Sequence, residues 1–150
     1  MEIINDAIGA VTNLLSGLWP QPAENPQLVN GKLRPCPGTP NAVCSESTNP
    51  IVRIDPLSFT GPAEQAWVLL NRIVEANGGV VRTREKEYLW STFLVPVFGF
   101  ADDVEFRLSP EEGVIHVRSA SRLGISDLGV NRGRVEQLRA AFRAGQNAYP

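Results

Sequence analysis

Apolar residues recur at helical spacing at the start of the chain, in MEIINDAIGAVTNLLSGLW. The repeated positions are Ile4, Ile8, Val11, Leu15 and Leu18, and the pattern ends at Trp19-Pro20. We expect an amphipathic helix over residues 1–19 that packs on its own domain, on a second copy of the chain, or in a partner's groove. Its polar face offers Glu2 and Asp6, whereas membrane-surface helices usually carry Lys or Arg there, so protein docking is favoured over lipid binding.

The next segment, residues 20–62, holds nine of the twelve prolines and little apolar periodicity. This composition predicts an extended strap, with turns at NGK (30–32) and PGTPN (37–41). A strap of this kind wraps a domain or links two parts.

A second helical pattern follows Pro62 in AEQAWVLLNRIVEAN, and Gly78-Gly79 marks its end. Strand patterns come next at residues 80–83, 88–95, 103–109 and 114–121. In the third of these, apolar and charged residues alternate, which is typical of an antiparallel strand with one buried face. The connection PEEG predicts a hairpin to the fourth strand.

The last pattern, RVEQLRAAFRAG, predicts a helix with Asn131 as its N-cap and Gly145 at its C-terminal end. The predicted fold is α+β: a four-stranded antiparallel meander with helices packed on one face, plus the N-terminal amphipathic helix and the Pro-rich strap. We divide the chain into a helical extension (1–19), a strap (20–62) and an α+β core (63–145).

Composition narrows the class of protein. A chain of 150 residues with 43% hydrophobic residues is large enough for one domain with its own core. A net charge of −2 gives no overall attraction to nucleic acid, so we expect no nucleic-acid partner. The first 19 residues lack the basic region of a secretory signal, so we expect a cytoplasmic protein.

Charge is unevenly distributed along the chain. Five acids lie between Asp102 and Glu112 against the single Arg107, whereas six arginines lie between Arg118 and Arg143 against two acids. The stretch RSASRLGISDLGVNRGR (118–134) joins the last strand to the last helix. The amides of a helix N-terminus favour anions, and Arg132 and Arg134 reinforce that end, so the stretch is expected to hold negative charge.

Three sources of that negative charge are open. The favoured one is internal, because Asp102, Asp103 and Glu105 come next in sequence across the hairpin and Arg–carboxylate pairs commonly fasten loops to sheets. The second is an exogenous phosphate, sulfate or carboxylate, or an acidic patch on a partner. The third is a catalytic site with an Asp as general acid or base.

The sequence gives less support to a histidine, metal or cysteine site. The single histidine, His116, is expected to be a hydrogen-bonded structural residue. Two cysteines and one histidine cannot complete a tetrahedral zinc site, so we expect no metal. Cys36 and Cys44 are a candidate redox pair, but without an export signal we expect free thiols in the cell.

Three blocks of the sequence resemble the domain of unknown function 1499 family of bacteria, cyanobacteria and plastids. They are LRPCPGTPNAVCSES (33–47), FADDVEFRL (100–108) and IHVRSASRLGISDLGVNRGRVEQLR (115–139), and the similarity spans residues 30–143. The family usually has a cysteine where Ala42 stands. The resemblance implies no reaction and no cofactor, but it implies an accessory role at thylakoid membranes and in photosynthetic electron transport.

The residues of the family signature coincide with those that the charge pattern selects. The candidate polar cluster consists of Asp102, Asp103, Glu105, Arg118, Ser119, Ser121, Arg122, Ser126, Asp127, Asn131 and Arg132.

The leading hypothesis for function is a non-enzymatic accessory or interaction protein. Residues 1–19 would anchor it to a protein partner or a membrane-associated complex, and its arginine-rich end would be a docking surface. The alternative is an enzyme or binding domain for a small anionic ligand, with Arg118, Arg122 and Arg132 as clamps and Asp102 or Asp103 as the base.

Overall fold

The structure, a computed structural model, describes residues 25–95, 99–122 and 127–148. Within them the chain forms two helices and a six-stranded sheet whose paired strands run antiparallel, which confirms the predicted α+β class. The helix predicted over residues 1–19 lies outside the described residues. Neither described helix combines the length and apolar character needed to cross a bilayer.

The described residues form six strands and two helices. In order they are β1 (Ala42–Cys44), β2 (Leu57–Ser58), α1 (Ala63–Ala76), β3 (Val80–Arg84), β4 (Tyr88–Val95), β5 (Phe100–Ser109), β6 (Val114–Ser121) and α2 (Val130–Ala148). The sheet order is β1-β6-β5-β4-β3, and β2 also pairs with β6.

The sheet has two more strands than the four that were predicted. The Pro-rich strap supplies both of them: Val43 of β1 pairs with Ser119, and Leu57 of β2 pairs with Ile115. Segments of three and two residues are too short to show alternation, so the strap looks structureless in the sequence. The predicted turn at NGK is confirmed, because Val29 and Lys32 exchange backbone hydrogen bonds of 2.8 and 3.1 Å.

The main core lies between the sheet and the two helices. Strand β5 contributes Val104, Phe106 and Leu108 to this face, as its alternation predicts. The other core residues include Trp67, Leu70 and Val74 of α1, Leu89 and Phe93 of β4, Ile115 and Val117 of β6, and Val135, Leu138 and Phe142 of α2. A smaller apolar cluster on the opposite face joins Leu33 of the strap to Tyr88 and Trp90. The strap therefore covers part of the sheet face that the helices leave free.

Strand β5 begins at Phe100, three residues before its predicted start. Its first residues pair with β4, where Asp102 lies opposite Phe93. Asp102 points to the helix face and is fully buried, so the polar residue interrupts the apolar pattern that would have indicated a strand there.

Helix α2 differs from the prediction at both ends. It begins at Val130, so Asn131 lies inside the first turn and is not the N-cap. The carboxylate of Asp127 takes the capping role, accepting hydrogen bonds from the Gly129 amide (2.8 Å) and the Asn131 amide (3.0 Å). The helix also continues past Gly145 to Ala148, and Gly145 instead lets α1 approach closely, since a Cβ there would lie 2.7 Å from Leu69 Cδ1.

Candidate functional site

The candidate polar residues lie on both faces of the sheet because neighbouring strand residues point to opposite sides. The strap-side cluster consists of Arg34, Tyr88, Trp90, Asp103, Glu105, Arg118 and Arg122. The helix-side cluster consists of Asp102, Ser119, Ser121, Asp127, Asn131 and Arg134. Asp102 and Asp103 are adjacent in sequence but belong to different clusters.

Glu105 is the centre of the strap-side cluster and is fully buried. Its carboxylate accepts hydrogen bonds from Arg34 (Nη2 2.8 Å, Nε 3.1 Å), from the Tyr88 hydroxyl (2.6 Å) and from Arg118 Nη1 (3.4 Å). Arg118 also donates to the Pro35 carbonyl at 3.4 Å. Two guanidiniums thus share one carboxylate, and one of the two comes from the strap.

The surroundings of Glu105 shift the pKa values of its partners. Burial, followed by the nearby Glu105 charge, raises the pKa of Tyr88 far above its usual range, so the phenol stays protonated and donates. Burial lowers the pKa of Arg118, although the attraction of Glu105 opposes that shift. For Arg34, burial favours the neutral form, but the hydrogen bond and charge of Glu105 outweigh it and the pKa is raised. Tyr88 and Arg34 are therefore held as donors to Glu105.

Asp103 forms the second half of the strap-side cluster. Arg122 binds it with both ends of its fork, through Nε at 2.9 Å and Nη2 at 3.0 Å, and Trp90 Nε1 donates to it at 2.9 Å. Both carboxylate oxygens are therefore occupied by donors of this chain.

Arg107 and His116 form further polar contacts beside the strap-side cluster. Arg107 forms an ion pair with Glu46 of the strap. His116 is bound at both ring nitrogens, with Nδ1 3.0 Å from Ser45 Oγ and Nε2 2.7 Å from Glu112 Oε2. His116 is thus hydrogen-bonded within the fold, as expected of a structural histidine.

The helix-side cluster is organised by Asn131, which is fully buried. Its Oδ1 accepts from Ser119 Oγ (2.5 Å) and from Arg134 Nη1 (2.9 Å), and its Nδ2 donates to Ser121 Oγ (2.9 Å) and Asp127 Oδ2 (2.6 Å). One side chain thus connects β6 to the first turn of α2.

Asp102 contributes a buried charge to this cluster. Its Oδ2 lies 2.7 Å from Arg134 Nη2, although neither oxygen has a hydrogen-bond partner in good geometry. Burial raises the pKa of Asp102, and the attraction of Arg134 reduces that rise without cancelling it. The Arg134 guanidinium also stacks on Phe93, 5.2 Å from the ring centroid.

Internal pairing accounts for most of the candidate polar cluster. Asp103 pairs with Arg122, and Arg118 with Glu105. Asp102 pairs with Arg134, which was expected to reinforce an anion site. Arg132 lies apart from both clusters and donates to the Arg53 carbonyl at 3.0 Å. Ser126 lies outside the described residues.

The predicted anion site at the start of α2 is filled by the chain itself. The carboxylate of Asp127 accepts from amides of the first turn, and Arg134 is turned inward to Asp102. In the described ranges, no group of three or more His, Cys, Asp and Glu side chains is placed to hold a metal ion.

Sequence reasoning missed the contribution of the strap and of β4. Arg34, Tyr88 and Trp90 donate to the two carboxylates, but no local pattern links them to the arginine-rich stretch. Arg34 is 71 residues from Glu105. The available signal was the position of Arg34 inside the first family block, two residues before Cys36.

The cysteines differ from the expectation of free thiols. Cys36 and Cys44 are joined in a disulfide, with their Cα atoms 6.1 Å apart, within the normal range for a disulfide. The turn at residues 37–41 reverses the strap and brings the two residues together. The bond fastens the part of the strap around Cys36 to β1.

Fold and clusters together define a single α+β domain whose strap is fastened to the sheet by buried ion pairs and a disulfide. The chain belongs to the family described as "Protein of unknown function (DUF1499)", whose sequence model matches residues 32–142. That range begins in the strap and includes every residue of both clusters. The family description assigns no role to them. No curated protein matches the chain.

Proposed function

We propose that the protein is a non-enzymatic accessory or interaction module, in which the two charged clusters hold the fold together. The observation that carries this proposal is the pairing of the candidate residues. Each of those that the structure describes has a hydrogen-bond or ion-pair partner in the same chain. The arginine-rich end is therefore better suited to fastening the strap and α2 than to receiving a ligand.

The energetics of the strap-side cluster support the same conclusion. An anion that recruited Arg118 and Arg122 would take them from Glu105 and Asp103, which are both buried. Removing one partner of a buried ion pair costs about 3–5 kcal/mol, which a small ligand would have to supply. The alternative of an anion-binding enzyme also needs an accessible base, but both oxygens of Asp103 already accept hydrogen bonds, and Asp102 is fully buried against Arg134.

The partner-binding part of the proposal rests on the sequence. We assign docking to residues 1–19 because of their apolar stripe, and a photosynthetic membrane context because of the family resemblance. In that context the described domain would be carried by the assembly that the N-terminal segment binds.

The test is co-sedimentation of tagged protein with membrane and complex fractions of the native organism. The full chain should co-sediment, and a Leu15→Glu variant should not, because the charge falls in the apolar stripe. Asn13→Glu adds the same charge off that stripe and is the matched control. Equal recovery of the two variants would contradict the docking role of residues 1–19.

A further inference from the structure

The disulfide joins a fixed part of the fold to a less firmly held one. Cys44 lies in β1, opposite Arg118 of β6, and its backbone also bonds to Val52 (2.8 Å) and Ile54 (3.4 Å). Cys36 lies in the strap, outside any helix or strand. The Cys44 side is therefore anchored in the sheet independently of the disulfide.

The strap beside Cys36 has few other attachments. Among the described residues, the backbone of residues 33–39 makes no backbone–backbone hydrogen bond. It is held instead by side chains: the Leu33 amide donates to Glu46 Oε2 (2.8 Å), and Arg118 donates to the Pro35 carbonyl. Side-chain packing, the Arg34–Glu105 pair and the disulfide supply the rest. Cutting the covalent tether of a segment without a hydrogen-bond ladder lowers the free-energy cost of opening it, because only the Arg34–Glu105 pair and the side-chain contacts then hold it.

A surface cavity of about 420 Å³ lies against the disulfide. Both cysteines line it, together with Lys32, Arg34 and Glu46. Cys36 is only partly buried, whereas Cys44 is 4% exposed, so an attacking thiol reaches the Cys36 sulfur more readily.

We propose that Cys36–Cys44 is a thiol–disulfide exchange site for a dithiol reductant, and that its reduction releases residues 33–39 of the strap from the sheet. A thiolate of the dithiol attacks Cys36 Sγ, the Cys36–Cys44 bond breaks, and Cys44 leaves as a thiolate that takes up a proton. The second thiolate of the dithiol then attacks the mixed disulfide, and Cys36 leaves and is protonated. Two electrons and two protons pass to the chain, and the dithiol becomes a disulfide.

Release of the strap would change what the sheet exposes. Leu33 and Arg34 now cover Tyr88, Trp90 and Glu105, three buried residues on adjacent strands. With the strap lifted, an aromatic and acidic surface faces solvent. The disulfide thus controls access to a face that the oxidised protein keeps closed, and this inference does not require the docking role of residues 1–19.

The experiment measures strap opening by limited trypsin digestion of the full chain. Lys32–Leu33 is the reporter bond, because Leu33 is buried against Tyr88 and Trp90. Lys86–Glu87, in the exposed turn before β4, is the reference bond. Oxidised protein is compared with protein that has been treated with dithiothreitol and alkylated before trypsin is added.

We expect dithiothreitol to reduce the bond in the folded protein, and cleavage at Lys32 relative to Lys86 to become at least about tenfold faster. A Cys36→Ser/Cys44→Ser variant should be cleaved at that faster rate with or without dithiothreitol. Arg34→Ala keeps the disulfide, so its oxidised form should stay slow. A disulfide that resists dithiothreitol until the protein unfolds would overturn the proposal, as would unchanged cleavage at Lys32 after reduction.

Discussion

Glu105 is the residue on which most of the strap-side contacts converge. Three side chains, Arg34, Tyr88 and Arg118, donate hydrogen bonds to its carboxylate. Its negative charge holds the buried guanidinium of Arg118 and the partly buried guanidinium of Arg34. A neutral side chain at this position would leave those two charges facing each other with no counter-ion between them.

We therefore expect Glu105→Gln to destabilise the protein strongly. Leaving buried arginines without their carboxylate costs about 3–5 kcal/mol, which lowers the melting temperature of a domain of this size by roughly 10 °C. Differential scanning calorimetry measures the change. The matched control is Glu75→Gln, since the Glu75–Arg84 pair is exposed (54% and 52%) and should contribute less than about 1 kcal/mol. Similar losses in the two variants would argue against a buried role for Glu105.

At the scale of elements, two glycines differ in how much space surrounds them. Gly79 lies between α1 and β3, and a Cβ there would lie 2.7 Å from both Phe93 Cζ and Val74 Cγ1. Gly133 lies in α2, and a Cβ there would meet nothing within 4 Å. The same substitution should therefore act in opposite directions at these two sites.

Gly79→Ala should lower the free energy of unfolding by about 1–3 kcal/mol, because the core must shift to admit the methyl group. Gly133→Ala should raise it by about 0.5–1 kcal/mol, because alanine restricts the unfolded chain and favours the helix. Urea denaturation of both variants measures the two changes. Destabilisation by Gly133→Ala, or none by Gly79→Ala, would show that the packing at these helices is described wrongly.

Elements with a regular repeat could be predicted from the sequence, and those made by distant pairing could not. Strand β4 matches its predicted range because it is a run rich in aromatic and β-branched residues. Helix α1 ends one residue before its predicted end, because its apolar positions repeat along one helical face. Strands β1 and β2 form by pairing with the edge of β6. Pairing with a distant strand leaves no pattern in the local sequence. The start of α2 was misplaced because Asn131 resembles an N-cap, while its side chain is bonded to Ser119 and Ser121 of the sheet.

The same distinction applies to the candidate site. Neighbouring blocks of acid and arginine in the sequence indicated internal pairing, and Asp103 and Arg122 do pair. Strand alternation could have separated Asp102 from Asp103, because adjacent residues face opposite sides. It could not have identified Arg34 as a partner of Glu105, since that contact depends on the path of the strap.

At the scale of the whole molecule, the strap completes the domain. Helices cover one face of the sheet, while Leu33 and Arg34 cover part of the other, and β1 and β2 extend the β6 edge. The strap-side cluster and the disulfide join this layer to the sheet, and the helix-side cluster joins β6 to α2. The central claim is that these charged residues act on each other and not on a ligand.

A double-mutant cycle on Asp103 and Arg122 tests that claim most directly, using the free energy of unfolding from urea denaturation. We expect Asp103→Ala and Arg122→Ala each to destabilise the protein, and the double variant to lose less than the sum of the two by about 1–3 kcal/mol. Asp103→Ala combined with Arg139→Ala is the control, because Arg139 bonds to Pro56, Asp55 and Glu136 instead, and its effects should add. Strict additivity of the Asp103 and Arg122 changes, or a fully stable Asp103→Ala protein, would contradict the account.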